Sequence, residues 1–227
     1  MTDARATLEK RLVEVQEAVA AARAEAGRDD EITTIVVTKF HPESLVRDLY
    51  DLGVRDVGEN RHQEAFAKAQ LLSEYGDLEW HFVGQLQSKK ARQARSYARS
   101  FHSLDRDSVI QALSSSDGVV DAFVQVNLTS DPARGGVPPA QILEWADRVA
   151  ATPGLTLRGV MAVAPLDEEP RRAFERVRLL SEQVRAVYPE ASAISAGMSH
   201  DFREAILEGA THLRIGSAIT GMRPAAG

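Results

Sequence analysis

Thr33–Gly53 reads TTIVVTKFHPESLVRDLYDLG: a β-branched run, a proline, then an amphipathic stretch closed by glycine. Short β-branched runs suit buried strands. Pro42 fits the start of a helix, and Gly53 fits its end. One strand and one helix thus fill about twenty residues.

Working outward, the same unit recurs. Strands are expected at Thr33–Lys39, Asp56–Asn60, Trp80–Leu86, Ser100–Asp105, Asp121–Asn127, Thr156–Ala164, Ala193–Met198 and His212–Ile219. Their starts lie about 26 residues apart, which leaves room for one helix and short loops between strands. Pro138-Pro139 opens another helix, Pro153-Gly154 closes it, and a long helix follows Pro170. Eight parallel strands with crossover helices close into a TIM-type (β/α)8 barrel, for which ~250 residues is typical. The regular unit and the count of eight favour that barrel over an open doubly wound sheet. Upstream, Leu8, Leu12, Val15, Val19 and Ala22 recur at helical spacing, so an extra N-terminal helix precedes the barrel and stops near Gly27. No composition break marks a linker, so residues 1–227 read as one domain, with 223–227 a frayed tail.

The 227 residues contain no cysteine, which excludes a disulfide framework, a thiolate metal site and a cysteine nucleophile. A formal net charge of -6 gives no electrostatic reason to expect nucleic acid. Charged residues interrupt the chain throughout, and no run approaches the ~20 apolar residues of a membrane span. The N-terminus lacks the apolar core of a secretory signal, so the expected location is the cytoplasm. The six histidines show no metal-ligand spacing, and no metal site is expected. His81 reads as a satisfied core residue. The basic face Lys89, Lys90, Arg92, Arg95 and Arg99 reads as solvated surface.

Barrel chemistry sits at the C-terminal strand ends. There, Lys39 shares a strand face with Ile35 and Val37. If that face is the barrel interior, burial favours a neutral amine, which forms Schiff bases. The alternative is a lysine reaching into solvent. Between strands seven and eight, SAGMSHDFREAI and RIGSAITG suggest an anion site. Ser199 is expected to cap the helix that follows it, Gly216 permits close backbone approach, and Ser217 adds a hydroxyl. The alternative assigns these residues to capping and packing alone. Arg214 is a guanidinium inside an apolar strand, costly unless paired; an adjacent carboxylate is the bland expectation.

The segments VVTKF, DVGENRHQEA, WHFVGQLQSKKAR, QVNLTSDPARGGV, RGVMAVAP, SAGMSHDFREAI and HLRIGSAITG resemble successive blocks of the pyridoxal-phosphate homeostasis proteins. That resemblance covers about residues 33 to 221. It implies an alanine racemase N-terminal-like barrel that holds pyridoxal 5'-phosphate (PLP) as a Schiff base on Lys39. It places the cofactor phosphate near Ser199, Gly216 and Ser217, the pyridine nitrogen near Arg214, and Asn60 close to the ring. Phe40-His41-Pro42 stands where the family usually carries threonine and then Lys-Pro. Gly84-Gln85 stands where it often carries Gly-Pro.

The function so implied is intracellular PLP homeostasis, with PLP-dependent apoenzymes as recipients. Two arguments point away from catalysis. An arginine facing the ring nitrogen leaves that nitrogen unprotonated and the ring a poorer electron sink. Racemisation also needs a second base, a tyrosine from another domain in the racemase pattern. Tyr50, Tyr75, Tyr97 and Tyr188 are all expected within helices. A non-catalytic monomeric carrier is therefore expected, with no catalytic residues. A weak fold-type III racemase and a Schiff-base aldolase are the alternatives.

Overall fold

In the computed structural model, which describes residues 3–222, every expected strand is present. They are β1 (Thr33–Val37), β2 (Asp56–Glu59), β3 (Glu79–Phe82), β4 (Ser100–Leu104), β5 (Val120–Val126), β6 (Leu155–Ala162), β7 (Ala193–Ser195) and β8 (His212–Ile215). All neighbours are parallel, and β8 pairs back to β1, closing the barrel. The expected tail at 223–227 lies outside the described residues.

Each strand stops earlier than its apolar run. The runs from Trp80 and His212 depart most: the first ends at Phe82, the second at Ile215, and Ser217–Thr220 forms a short helix, α9. Ile219 is fully buried there, so it is apolar for packing and not for pairing. Tyr50 lies in α2 (Glu43–Asp51), but Tyr75, Tyr97 and Tyr188 lie just beyond helix ends. Short helices release these aromatics into the turns, where Tyr50 and Tyr75 pack ring on ring at 4.2 Å.

The leading helix α1 (Asp3–Glu25) buries Leu8, Leu12, Val15, Val19 and Ala22 as the spacing requires. Burying each leucine or valine contributes roughly 1.5–3 kcal/mol. It packs on α8 (Phe202–Leu207) and α9. Arg28, just past its end, donates to the carbonyls of Ile206 (3.1 Å) and Ala210 (2.9 Å). Arg95, expected in solvent at the end of α4 (Ser88–Arg95), instead clasps loops by donating to the carbonyls of Leu113, Gly154, Asp117 and Gly118.

Most of the apolar core lies between sheet and helices; inside the barrel Phe123, Met161 and Ala193 form a small separate cluster. Gly159 brings β6 against β7 with φ at 149°, and a Cβ there would overlap the Ala193 carbonyl oxygen. Gly159→Ala is expected to cost about 3 kcal/mol, read as a lowered urea midpoint at unchanged m-value.

Candidate functional site

Lys39 lies two residues past β1, exposed at the barrel mouth, with Nζ 5.9 Å from the Phe40 ring centroid. Burial of the amine is therefore not what prepares it. Its two neighbours are instead held firmly. Thr38, fully buried, donates its amide to Gly58 O (3.0 Å) and its hydroxyl to Glu59 Oε1 (2.7 Å). Phe40 takes a left-handed φ of 68° and donates its amide to Glu64 Oε1 (2.6 Å). That conformation costs a non-glycine residue roughly 1–2 kcal/mol.

Lys68, on α3 (His62–Leu71), ties these ends together. Its Nζ donates to Thr38 O (2.9 Å), Glu59 Oε1 (2.6 Å) and Glu64 Oε1 (2.8 Å). All three ammonium donors are used. Burial pushes the Glu59 carboxyl above the ordinary range, and the Lys68 charge opposes that shift.

The β7 and β8 ends form the second part of the site. Ser199 does not cap the helix after it: Asp201 takes the N-cap position of α8 and accepts the Met198 amide at 2.6 Å. Ser199 serves α9 instead, its Oγ accepting from Ala218 N (3.2 Å) and lying 3.4 Å from Ser217 Oγ. Gly216 sits at the N-cap of α9, and a Cβ there would stand 3.6 Å from both Cβ and O of Val37. The two hydroxyls and the first turn of α9 thus flank the end of β1, two residues before Lys39. Ala218 N is taken by Ser199, and the amides of Ile219 and Thr220 donate to Gly216 O, so what the loop offers an anion is chiefly its two hydroxyls.

Arg214 lies one layer deeper. Leu213 and Ile215 face the helices, so alternation turns Arg214 into the barrel, in register with Ile35. It is 5% exposed. No carboxylate pairs with it among the described residues; it donates to Ser195 Oγ (2.6 Å) and Ala162 O (2.9 Å). Burial draws its pKa down to about 10, which leaves it charged at neutral pH. A neutral interior surrounds it. His102 is fully buried, stacks on Phe123 at 4.4 Å, and is held well below the usual histidine range by burial. Burial likewise draws His212 down to about 4.

These buried rings make acid sensitivity specific. The unfolded chain takes up protons near pH 6.5, before the folded chain does. The stability they confer is complete above about pH 6.5 and falls as the pH drops toward 4. His212 accounts for a loss of order 2 kcal/mol across that window. Urea midpoints at pH 7 and pH 4.5 measure it; equal midpoints would refute it.

Asn60 follows β2, beside the end of β1, where Val37 pairs with Gly58. Gly84 packs on it so closely that a Cβ would approach Asn60 Cβ to 2.6 Å. Among the described residues, two buried side-chain polar atoms have no partner: Glu59 Oε2 and Asn60 Oδ1. Both lie at this mouth, and a buried polar atom without a partner costs about 1–3 kcal/mol. An anion loop, a buried cation, an amine and unpaired acceptors on adjacent strand ends suit a small polar ligand with a phosphate and a carbonyl. No cluster of three potential metal-ligating side chains occurs among the described residues.

Sequence reading missed Lys68, Glu59, Glu64 and Thr38, and also Ser195, His102 and Asp56. The pair Glu64 and Lys68 carries the i,i+4 spacing of a surface ion pair, which hid its role. His81 does prove a satisfied core residue, 6% exposed with a partner on each ring nitrogen.

The sequence pattern of the alanine racemase N-terminal domain matches residues 13–224. The pyridoxal phosphate homeostasis protein of Corynebacterium glutamicum is 37% identical over 206 residues, 86% of this chain and 92% of that one. That of Escherichia coli K12 is 35% identical over 222 residues, 93% and 95% of the two chains. The structure of PipY from Synechococcus elongatus, determined with PLP bound, superposes with a TM-score of 0.81 at 29% identity, covering 94% of this chain and all of that one. With that sequence match and those relatives aligned along nearly its whole length, the chain belongs to the pyridoxal phosphate homeostasis protein family, on the alanine racemase N-terminal-domain fold.

Proposed function

We propose that this protein holds PLP and supports its supply inside the cell, with Lys39 as the attachment point. When bound, PLP supplies an aldehyde that an amine captures as a Schiff base. In this reading Ser199, Gly216 and Ser217 hold the phosphate, Arg214 faces the pyridine nitrogen, and Asn60 lies beside the ring.

The observation that carries the reading is the register of β1 with β8. Ile35 is level with Arg214, and Gly216 packs against Val37. The lysine, the anion loop and the buried guanidinium therefore lie along one seam of the barrel, which supports reading them as one site.

The protein is a holder and not a racemase or aldolase in this reading. Arg214 remains a cation and only donates hydrogen bonds. It gives no proton to a ring nitrogen, so the electron demand that drives carbanion chemistry is weak. Residues 1–227 act as one cytoplasmic unit that releases PLP to PLP-dependent apoenzymes. No helix among the described residues is long and apolar enough to cross a membrane.

The test is borohydride reduction after incubation with one equivalent of PLP, followed by peptide mapping. The adduct is expected on the peptide bearing Lys39. In parallel, L-alanine incubated with the loaded protein is expected to yield D-alanine only at the rate of free PLP. Sustained turnover above that rate would make it an enzyme.

A further inference from the structure

A continuous line of hydrogen bonds crosses the barrel from Arg214 to its opposite end. Arg214 Nη1 donates to Ser195 Oγ at 2.6 Å. Ser195 Oγ lies 2.8 Å from His102 Nδ1. His102 Nε2 lies 3.0 Å from His81 Nδ1, and His81 Nε2 lies 2.9 Å from Asp56 Oδ1. The members come from β8, β7, β4, β3 and β2, so only the closed barrel assembles them. Ser195 and His102 are fully buried, whereas the Asp56 side chain is 33% exposed at the N-terminal end of its strand.

The two ends fix the direction. Arginine only donates and an ionised carboxylate only accepts. His81 must therefore donate from Nε2 to Asp56. At the other end Ser195 Oγ accepts from Arg214, so its own hydroxyl proton goes to His102 Nδ1. His102, kept neutral by burial, then donates from Nε2 to His81 Nδ1. Every proton in the chain has one place, and all point from the guanidinium toward Asp56. The other charged or titratable groups near it are His212, Arg158, which lies 3.8 Å from Asp121, and Asp201 on the Arg214 side. None of them interrupts the line.

We propose that Ser195, His102, His81 and Asp56 are positioning residues for the cofactor-facing end of Arg214. They form a one-way relay that orients the guanidinium and links it to a carboxylate at the far mouth of the barrel. Asp56 is thereby the carboxylate at the far end of a line from a cation that has no paired carboxylate among the described residues and feels Asp201 only through space. A buried polar network that merely fills the interior would need the same contacts but no common direction, and it would not report to the ligand. The relay rests on the reading that Arg214 faces the PLP ring. Its direction, however, is a property of the protein alone.

Two measurements test it. In the PLP-free protein, nitrogen-15 NMR of labelled histidine is expected to show His81 and His102 as neutral Nε2–H tautomers at pH 7.5. A proton on Nδ1 of either ring overturns the relay, whatever the protein binds. With PLP added, Asp56→Asn and Ser195→Ala are compared with wild type by absorption spectrum and by reducible adduct at Lys39. The amide oxygen introduced by Asp56→Asn can still accept from His81, so folding should persist while the charge is lost. The expected result is an adduct at Lys39 in all three proteins and a displaced absorption maximum in both variants. Adduct with the wild-type spectrum in both variants overturns the relay. Should wild type give no adduct at Lys39, the PLP reading fails instead, and the tautomers still decide the direction of the chain. If a variant does not fold, the wild-type tautomers decide in the same way.

Discussion

Lys39→Ala is expected to abolish stoichiometric capture of PLP. The chain has five lysines, Lys10, Lys39, Lys68, Lys89 and Lys90. Lys68 is buried with all its donors engaged, so it is not free to react. Lys10 and Lys89 are exposed and Lys90 partly so; none of them lies on the β1–β8 seam. They should label only slowly and at excess reagent. What distinguishes Lys39 is the turn that presents it, since proximity to an anion loop raises the effective concentration of the aldehyde. After reduction at one equivalent of PLP, the variant's adduct should fall to the level of those surface lysines. Retention of a full equivalent would move the attachment elsewhere and remove the basis for reading the seam as a site.

Lys68→Met is expected to be the most destabilising single change at the mouth. It leaves Glu59 buried without its cation and removes the donor to Thr38 O. Breaking a buried ion pair by removing one member typically costs about 3–5 kcal/mol. Adding Glu59→Gln should restore much of that loss, because the neutral amide oxygen can still accept from Thr38 Oγ1 without a buried charge. PLP binding should not recover in parallel. The turn would still lack the tether on one side of Lys39, and misplacing a reacting group by about 1 Å can cost roughly a hundredfold. Urea denaturation and PLP titration of the two variants separate the effects. A single variant within about 1 kcal/mol of wild type would show that the cluster does not hold the turn.

Strand starts were legible because most begin where β-branched or aromatic residues follow a helix end. Strand ends were not. Thr38, Leu86, Leu128 and Ala164 are buried beyond their ladders, so apolar character continues after pairing stops. Arg214 and Lys39 could be singled out because each breaks a pattern locally. The reason for Lys39's readiness could not. The strand pattern left a desolvated lysine and a solvent-reaching one both open, and the structure shows an exposed one beside a tethered, left-handed turn. Glu64 and Lys68 look like a solvated helical pair until β1 is packed against them. The histidine line was wholly hidden, since its members are separated by up to 93 residues between contacting neighbours. Nothing in a linear pattern indicates which strands face across a closed barrel.

The helix α1 has its partners at the other end of the chain. It docks on α8 and α9, Arg203 pairs with Glu25, and Arg28 holds the carbonyls of Ile206 and Ala210. During synthesis α1 must therefore wait for α8 and α9 to follow, Arg203 lying 178 residues beyond Glu25. Contacts of such sequence separation slow folding, because the loop they close must be ordered before they repay it. Until then the helix's leucine and valine stripe stays uncovered, a transient surface for chaperones to shield. Docking of α1 then covers α8 and α9, and α9 begins at the Gly216 that stands against the end of β1.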